Sequence, residues 1–332
     1  MAGRIICFGE LLLRFTAPGN ERLMQSPRFD VHFGGAEANV GVSLARFGHD
    51  VGMVSALPDN PFGHSMSEAL RAQGVDTRHV LAGEGRMGIY FLETGAVRRP
   101  SRIVYDRANS LFANTRASSY DWASVLNGAD WLHLSGITPA VGPEPMRAAQ
   151  AAVRAAQKAN VKVAFDGNYR EALWAAWGGS GPSILRDILV HADTAFINER
   201  DIALITGKEF SSREEAVAHA FTEFPALTTV ACTTRAQEAV SNQTLSGELY
   251  TRSGVWKSPP HEMIDVIDRI GGGDAFAAGV LHGVLEGFDP QRTIDFATAA
   301  GVIKHSIPGD WNLTTIQEVE EAMSGSGLDV RR

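Results

Sequence analysis

From Asp130 onward the chain alternates short apolar runs with longer stretches of helical spacing. The order is WLHLSGI, a helical pattern over Glu144 to Ala159, VKVAFDGN, a second near Ser183 to Val190, TAFINE, further helical spacing over Asp201 to Phe224, and TTVACTT. Strands separated by helices return through crossovers and pair in parallel, so the pattern predicts an α/β fold with a doubly wound, mainly parallel sheet flanked by helices. Ligands of such sheets collect at the carboxyl ends of the strands. The N-terminal part starts the same way: RIICFGE reads as a buried first strand, GGAEANVGVSLARFG as a helix opened by Gly34 and Gly35 and stopped by Gly48, and VGMVSAL as the next strand.

Between Gly83 and Arg107 the pattern changes to short alternating pieces, RMGIYFLET and SRIVYDR, parted by Gly95 and Pro100, which predicts hairpin strands. With strand-like pieces at Leu11 to Phe15 and Phe29 to Phe33, they predict a small β-sheet lid, built from about 11–33 and 83–107 and inserted in a single domain spanning 1–332. A chain of 332 residues that is 44% hydrophobic and 20% charged is large enough for one extensive core. The stretch from Gly271 to about Ser306, rich in Ala, Gly and Phe, predicts two packed helices.

Thirty Lys and Arg stand against 38 Asp and Glu, a formal charge of -8, which argues against a general nucleic-acid or anionic-membrane partner. Small anions would be caught by local positive charge. Cys7 and Cys232 lie in apolar runs and read as buried reduced thiols. The run IICFGELLL is broken by Gly9 and Glu10, and no apolar stretch approaches the roughly 20 residues of a membrane span. A cytoplasmic location is the default expectation.

The segment most informative about chemistry is DRIGGGDAFAAGVLHGV, in which Gly271, Gly272 and Gly273 precede Asp274 and an apolar helix. Glycines let backbone amides converge on an anion, and the helix N-terminus adds partial positive charge. Asp274 at that junction is placed to take a proton from an attacking hydroxyl while the amides stabilise a transferring phosphoryl group. Taken alone, the same residues are better read as a tight turn with a capping aspartate. No P-loop is present, since Gly207-Lys208 has Ile202 five positions before the glycine and Glu209 after the lysine. His261-Glu262 is no zinc motif, because Asp265 stands in place of a second histidine.

This segment resembles the C-terminal signature of the ribokinase-like (PfkB) carbohydrate kinases, D-x-x-G-x-G-D. Asp268, Gly271, Gly273 and Asp274 match it, and Gly272 stands where alanine is commoner. The family's N-terminal G-G-x-x-x-N signature is matched by Gly34, Gly35 and Asn39. The resemblance implies a ribokinase-like fold and ATP-dependent sugar phosphorylation. It gives Asp274 as the catalytic base and Gly271 to Gly273 as the anion hole, with Gly271 and Gly273 against the nucleotide. Gly34, Gly35, Ala36, Glu37, Ala38 and Asn39 would approach the sugar hydroxyls; a simple strand-to-helix turn is the alternative for these.

Among the family the chain is most similar to 2-keto-3-deoxygluconate kinases. Tyr105 and Arg107 in RIVYDR resemble their Y-x-R element, and with Tyr90 in GIYF and Arg170 in DGNYREALW they would surround a sugar acid. Guanidinium forks suit a carboxylate, and neutral sugars do not require them. Arg98 and Arg99 nearby read as a solvated basic hairpin. By the same resemblance Asn168 and Arg170 lie between sugar and ATP phosphates. Asn198 belongs to an N-x-x-E element linked to Mg2+, with Asp201 or Glu199 serving for the glutamate. Thr233, Thr234 and Arg235 follow their strand and touch ATP, and Asp310 in IPGDWN reaches the substrate from the far side. The implied partners are a small-molecule sugar acid, ATP with Mg2+, and a second copy of the chain through the lid. A kinase for fructose, ribose or the galactonate epimer, or a non-catalytic sugar-binding protein on the same fold, are the alternatives. A Rossmann dehydrogenase is disfavoured because FGELLL follows the first strand where a G-x-G-x-x-G turn would stand.

Overall fold

A computed structural model describes residues 3–237, 239 and 242–324. The strands are β1 (Arg4–Phe8), β2 (Leu12–Thr16), β3 (Asp30–Gly34), β4 (Asp50–Pro58), β5 (Val75–Gly83), β6 (Gly88–Glu93), β7 (Arg102–Asp106), β8 (Trp131–Ser135), β9 (Lys162–Asp166), β10 (Thr194–Phe196), β11 (Thr229–Gln237), β12 (Gln243–Thr251), β13 (Gly254–Lys257) and β14 (His261–Met263). Ten form one sheet in the order β13-β12-β11-β10-β9-β8-β1-β4-β5, with β14 also on β12. From β11 to β5 every neighbouring pair is parallel, and β12, β13 and β14 add an antiparallel edge. The sequence's βα alternation is therefore realised as a ribokinase-like doubly wound sheet.

Period-two alternation splits the core into two layers. Ile6 and Phe8 of β1 join Leu132, Leu134, Val163 and Phe165 beneath the helices Pro143–Ala159 and Gly181–Leu189. Ile5 and Cys7 face the other way, against Val40, Phe276 and Phe296 from the helices Ala36–Arg46, Gly272–Glu286 and Pro290–Lys304. Burial on both faces is why these strands read as unbroken apolar runs. Each fully buried Ile or Phe contributes about 1.5–3 kcal/mol.

The second sheet, in the order β3-β2-β6-β7, is the small separate sheet expected from 11–33 and 83–107. Its inner packing includes Phe15, Phe29 and Phe91, whose ring centroids lie 5.6 to 6.2 Å apart. Val31, Ile103, Val104 and Tyr105 of this sheet are exposed.

One expectation fails. Thr233, Thr234 and Arg235 do not follow a strand; they lie within β11, which runs on to Gln237 and pairs with β12 as far as Gln243. The polar residues of QTLSGELYT hide a strand whose buried positions alternate, so the stretch looks like a loop. The helix Pro61–Ala72, capped by Asn60 and opened by Pro61, and β5 are only partly buried. No helix among the described residues is long and apolar enough to cross a membrane.

The two C-terminal helices pack through Gly279, where an added Cβ would stand 2.5 Å from the Ala297 Cα. Gly279→Val is expected to destabilise the fold by about 1–3 kcal/mol, the cost of overpacking a tight contact. Urea unfolding with an unchanged m-value measures it.

Candidate active site

The carboxyl ends of β1, β8 and β9 open beneath the small sheet, and there a cavity of about 390 Å³ is lined by both bodies. The helix Gly272–Glu286 aims its start at this cavity. Gly271 precedes the helix at φ 82°, and an added Cβ would collide with the Asp310 carbonyl. The first helical bond is the Ala275 amide donating to the Gly271 carbonyl at 2.9 Å, so the amides of Gly272, Gly273 and Asp274 carry no intrahelical bond. Around Gly273 a Cβ would meet nothing within 4 Å, because that position faces the cavity.

Asp274 occupies the third helical position and receives a 2.7 Å hydrogen bond from Asn39 Nδ2. Burial, reinforced by the charges of Asp310 and Glu37 against the opposing Asn39 bond, pushes its carboxyl up to about 7. Half-ionised near neutrality, it is poised as a general base. Asp166, at the end of β9 and absent from the sequence candidates, is raised well above its ordinary value by burial and then by the charges of Asp274 and Asp201.

The N-terminal signature divides across its helix. Gly35 sits at φ 143° against the Glu10 carbonyl, and with Ala36, Glu37 and Asn39 it lines the cavity. Glu37 Oε1 accepts from the Ser135 amide at 2.9 Å and from the Ser135 and Thr138 hydroxyls at 2.7 Å each, so it ties the helix to the end of β8. Gly34 lies against the Asp310 carboxylate. Ala38 does not face the cavity: helical spacing turns it into the core, fully buried.

From the small sheet come Tyr90, Tyr105 and Arg107. Tyr90 donates to Asp310 Oδ2 at 2.5 Å, and its ring centroid is 5.8 Å from that of Tyr105. Arg107 is buried and its Nε donates to Glu10 Oε2 at 2.7 Å, with Nη2 on the same oxygen. The expected free fork is therefore partly spent within the protein. Asp310 likewise is committed to Tyr90 and to Arg14, whose Nη1 donates at 3.1 Å. Arg14 Nη2 also donates to Asp268 Oδ2 at 2.6 Å.

Sequence reasoning missed Glu10 and Arg14; the signal was there, because each is a charge inside the apolar run IICFGELLLRF.

On the remaining wall, Asn168 stands at φ 32° and Arg170 is exposed, its Nη1 bonded to the Tyr169 carbonyl at 3.0 Å. Arg269, also overlooked, lines the same cavity, and burial lowers its pKa with no carboxylate offsetting the shift. The other nucleotide-side candidates are dispersed. Asn198 Oδ1 caps the helix Glu199–Thr206, accepting from the Arg200 and Asp201 amides, while Asp201 Oδ2 accepts from the Asn198 amide at 3.0 Å. Thr234 accepts from Arg213 at 2.9 Å, and Arg235 lines a neighbouring cavity of about 800 Å³ that shares Arg269 with the first. Thr233 lines neither cavity.

A sequence model described as pfkB family carbohydrate kinase matches residues 2–313. The chain belongs to this family. Its relatives include a 2-dehydro-3-deoxygalactonokinase of Haloferax volcanii, 28% identical over 100% of both chains. The crystal structure of 2-dehydro-3-deoxygluconokinase from Thermotoga maritima superposes with a TM-score of 0.92 at 36% identity, over 98% of this chain and 99% of that one. A putative ribokinase II from E. coli, crystallised with ATP and Mg2+, shares the fold at 19% identity and a TM-score of 0.84, over 98% and 100%. The protein is thus a sugar kinase, and Asp274 with its glycine loop occupies the D-x-x-G-x-G-D signature of the family.

Two outcomes follow from the buried charges of this kinase. Arg14→Leu removes the guanidinium that pairs Asp268 and Asp310 and is expected to cost about 3–5 kcal/mol in urea unfolding. The Asp274 carboxyl is higher in the folded state than its ordinary 3.8, so the folded state binds the extra proton between about pH 4 and 7 and stability declines across that window. Asp274→Asn should abolish turnover, keep ATP binding, and melt higher than wild type at pH 8. That advantage should shrink towards pH 4.

Proposed function

We propose that this kinase transfers the γ-phosphoryl group of ATP to the terminal hydroxyl of 2-keto-3-deoxygluconate, giving 2-keto-3-deoxy-6-phosphogluconate and ADP. The observation that carries the reading is Asp274 held by Asn39 beside amides without intrahelical bonds, in a cavity whose opposite wall presents Tyr90, Tyr105 and Arg107.

The sugar would lie between the small sheet and the start of the Ala36–Arg46 helix, with the sheet acting as the lid. Asp274 accepts the hydroxyl proton as the oxygen attacks the γ-phosphorus in line, and the bond to the ADP oxygen breaks. Charge on the equatorial oxygens is met by the amides of Gly271 to Gly273 and by Arg170 and Arg269, with Asn168 beside them. Asp166 and Asp201, close enough for the charge of one to raise the carboxyl of the other, would hold Mg2+ together with water and substrate phosphates. The ion supplies neutralisation of phosphate charge. Arg235, reached from the second cavity, remains the candidate for the outer part of the nucleotide, whereas Thr233 and Thr234 do not line that cavity. The unpaired buried thiols Cys7 and Cys232 suit a reducing, cytoplasmic setting. The exposed apolar residues of the small sheet suit contact with a second copy.

Preference for an acid over a neutral sugar rests on Arg170 together with the Arg107 edge left by Glu10. The galactonate epimer is the second reading, favoured by the H. volcanii relative. An ADP-release assay with ATP and Mg2+ across 2-keto-3-deoxygluconate, its galactonate epimer, fructose and ribose tests this. Turnover should be confined to the keto-deoxy acids, and Arg170→Ala should lower kcat/KM at least tenfold. Equal turnover of fructose or ribose would overturn the sugar-acid assignment while leaving the kinase intact.

A further inference from the structure

The helices Ala36–Arg46 and Gly272–Glu286 pack side by side. At one end of the pair, Asn39 of the first is bonded to Asp274 of the second. At the other end the chain leaves the first helix through Gly48, at φ 87°, and places His49 against His282, two turns beyond Asp274 on the second. The Nε2 of His49 and the Nδ1 of His282 stand 2.8 Å apart. Glu286 follows His282 by four residues and so shares its helix face. One ligand atom from each of His49, His282 and Glu286 lies within 4.8 Å of the others.

We propose that His49, His282 and Glu286 bind a zinc-class transition-metal cation that clamps the far ends of the two helices carrying Asn39 and Asp274. The donor set is two imidazoles and a carboxylate, which suits zinc rather than Mg2+ or Ca2+. The histidines are 5% and 2% exposed, and the Phe47, Phe288 and Phe296 rings pack against His282, so their positions are fixed in advance of binding. Burial lowers both pKa values, that of His282 to about 4, which keeps the rings neutral and their lone pairs available.

The mutual hydrogen bond does not complete the pair, because the buried Nδ1 of His49 has no hydrogen-bond partner. The two facing nitrogens share one proton. A cation entering between them displaces that proton to the far nitrogen of the same ring, so no proton leaves the protein. Facing nitrogens around tetrahedral zinc at about 2.0–2.1 Å per bond are roughly 3.4 Å apart, so the rings need only part by about half an ångström. Exposed Glu286 closes the third side and leaves a fourth position for water.

The site is separate from the kinase centre, since eight helical residues from Asp274 to His282 span about 12 Å. The test uses the full chain, freed of metal by chelator, titrated with Zn2+ by calorimetry and with Co2+ by visible absorption. The expected result is one ion per chain, a tetrahedral Co2+ spectrum and a raised melting temperature. Glu286→Gln, an exposed change that leaves the core intact, should bind at least tenfold more weakly and keep wild-type turnover in Mg2+. His49→Asn should do the same to binding. Equal affinity in wild type and both variants places the ion at surface histidines and overturns the proposal, as does a wild type that retains no zinc.

Discussion

A single buried guanidinium holds the working parts of this kinase in register. Arg14 leaves the second strand of the chain, in the small sheet, and reaches Asp268 ahead of the glycine loop and Asp310 near the C-terminus. Asp268 in turn accepts from the Ile270 and Gly309 amides at 3.0 and 2.9 Å, so the loop that presents Gly271 to Asp274 is fixed by the same charge. Buried pairs of this kind add little net stability, but they tolerate few alternative arrangements. The small sheet, the glycine loop and the Asp310 turn meet at one point because an unpaired charge there would be costly.

Around that pin the protein gathers charges that would not choose each other in water. Glu37, Asp166 and Asp274 lie deep enough for burial to raise all three carboxyls, and neighbouring carboxylates raise Asp166 and Asp274 further. Arg170, Arg269 and the free helix amides offer positive potential on the same cavity. These two cations have no ion pair with a carboxylate among the described residues, so their charge faces the cavity. The Asp274 carboxyl and the amides without intrahelical bonds are thereby held within one helical turn.

Much of this was legible along the chain. The parallel sheet followed from apolar runs alternating with helical spacing, and the glycine loop and Asp274 from their order before an apolar helix. Asn39, Tyr90, Tyr105, Arg107 and Arg170 do converge on one cavity. Ala38 was misplaced because a signature is read residue by residue, whereas the 3.6-residue turn of a helix points some of its residues into the core. Thr233 to Arg235 were misread because β12 alternates polar and apolar residues, and its pairing with β11 turns an apparent loop into a strand.

The sequence by itself determined the fold: hydrophobic periodicity dictates which faces must be buried, and three glycines before an aspartate place free helix amides beside a carboxyl group. Only the tertiary structure decided how charges are shared. Arg107 is paired with Glu10 across 97 residues, Arg14 with Asp310 across 296, and Asn39 with Asp274 across 235. Ion pairing and desolvation depend on distance in space, and no local pattern encodes which of several buried charges will meet.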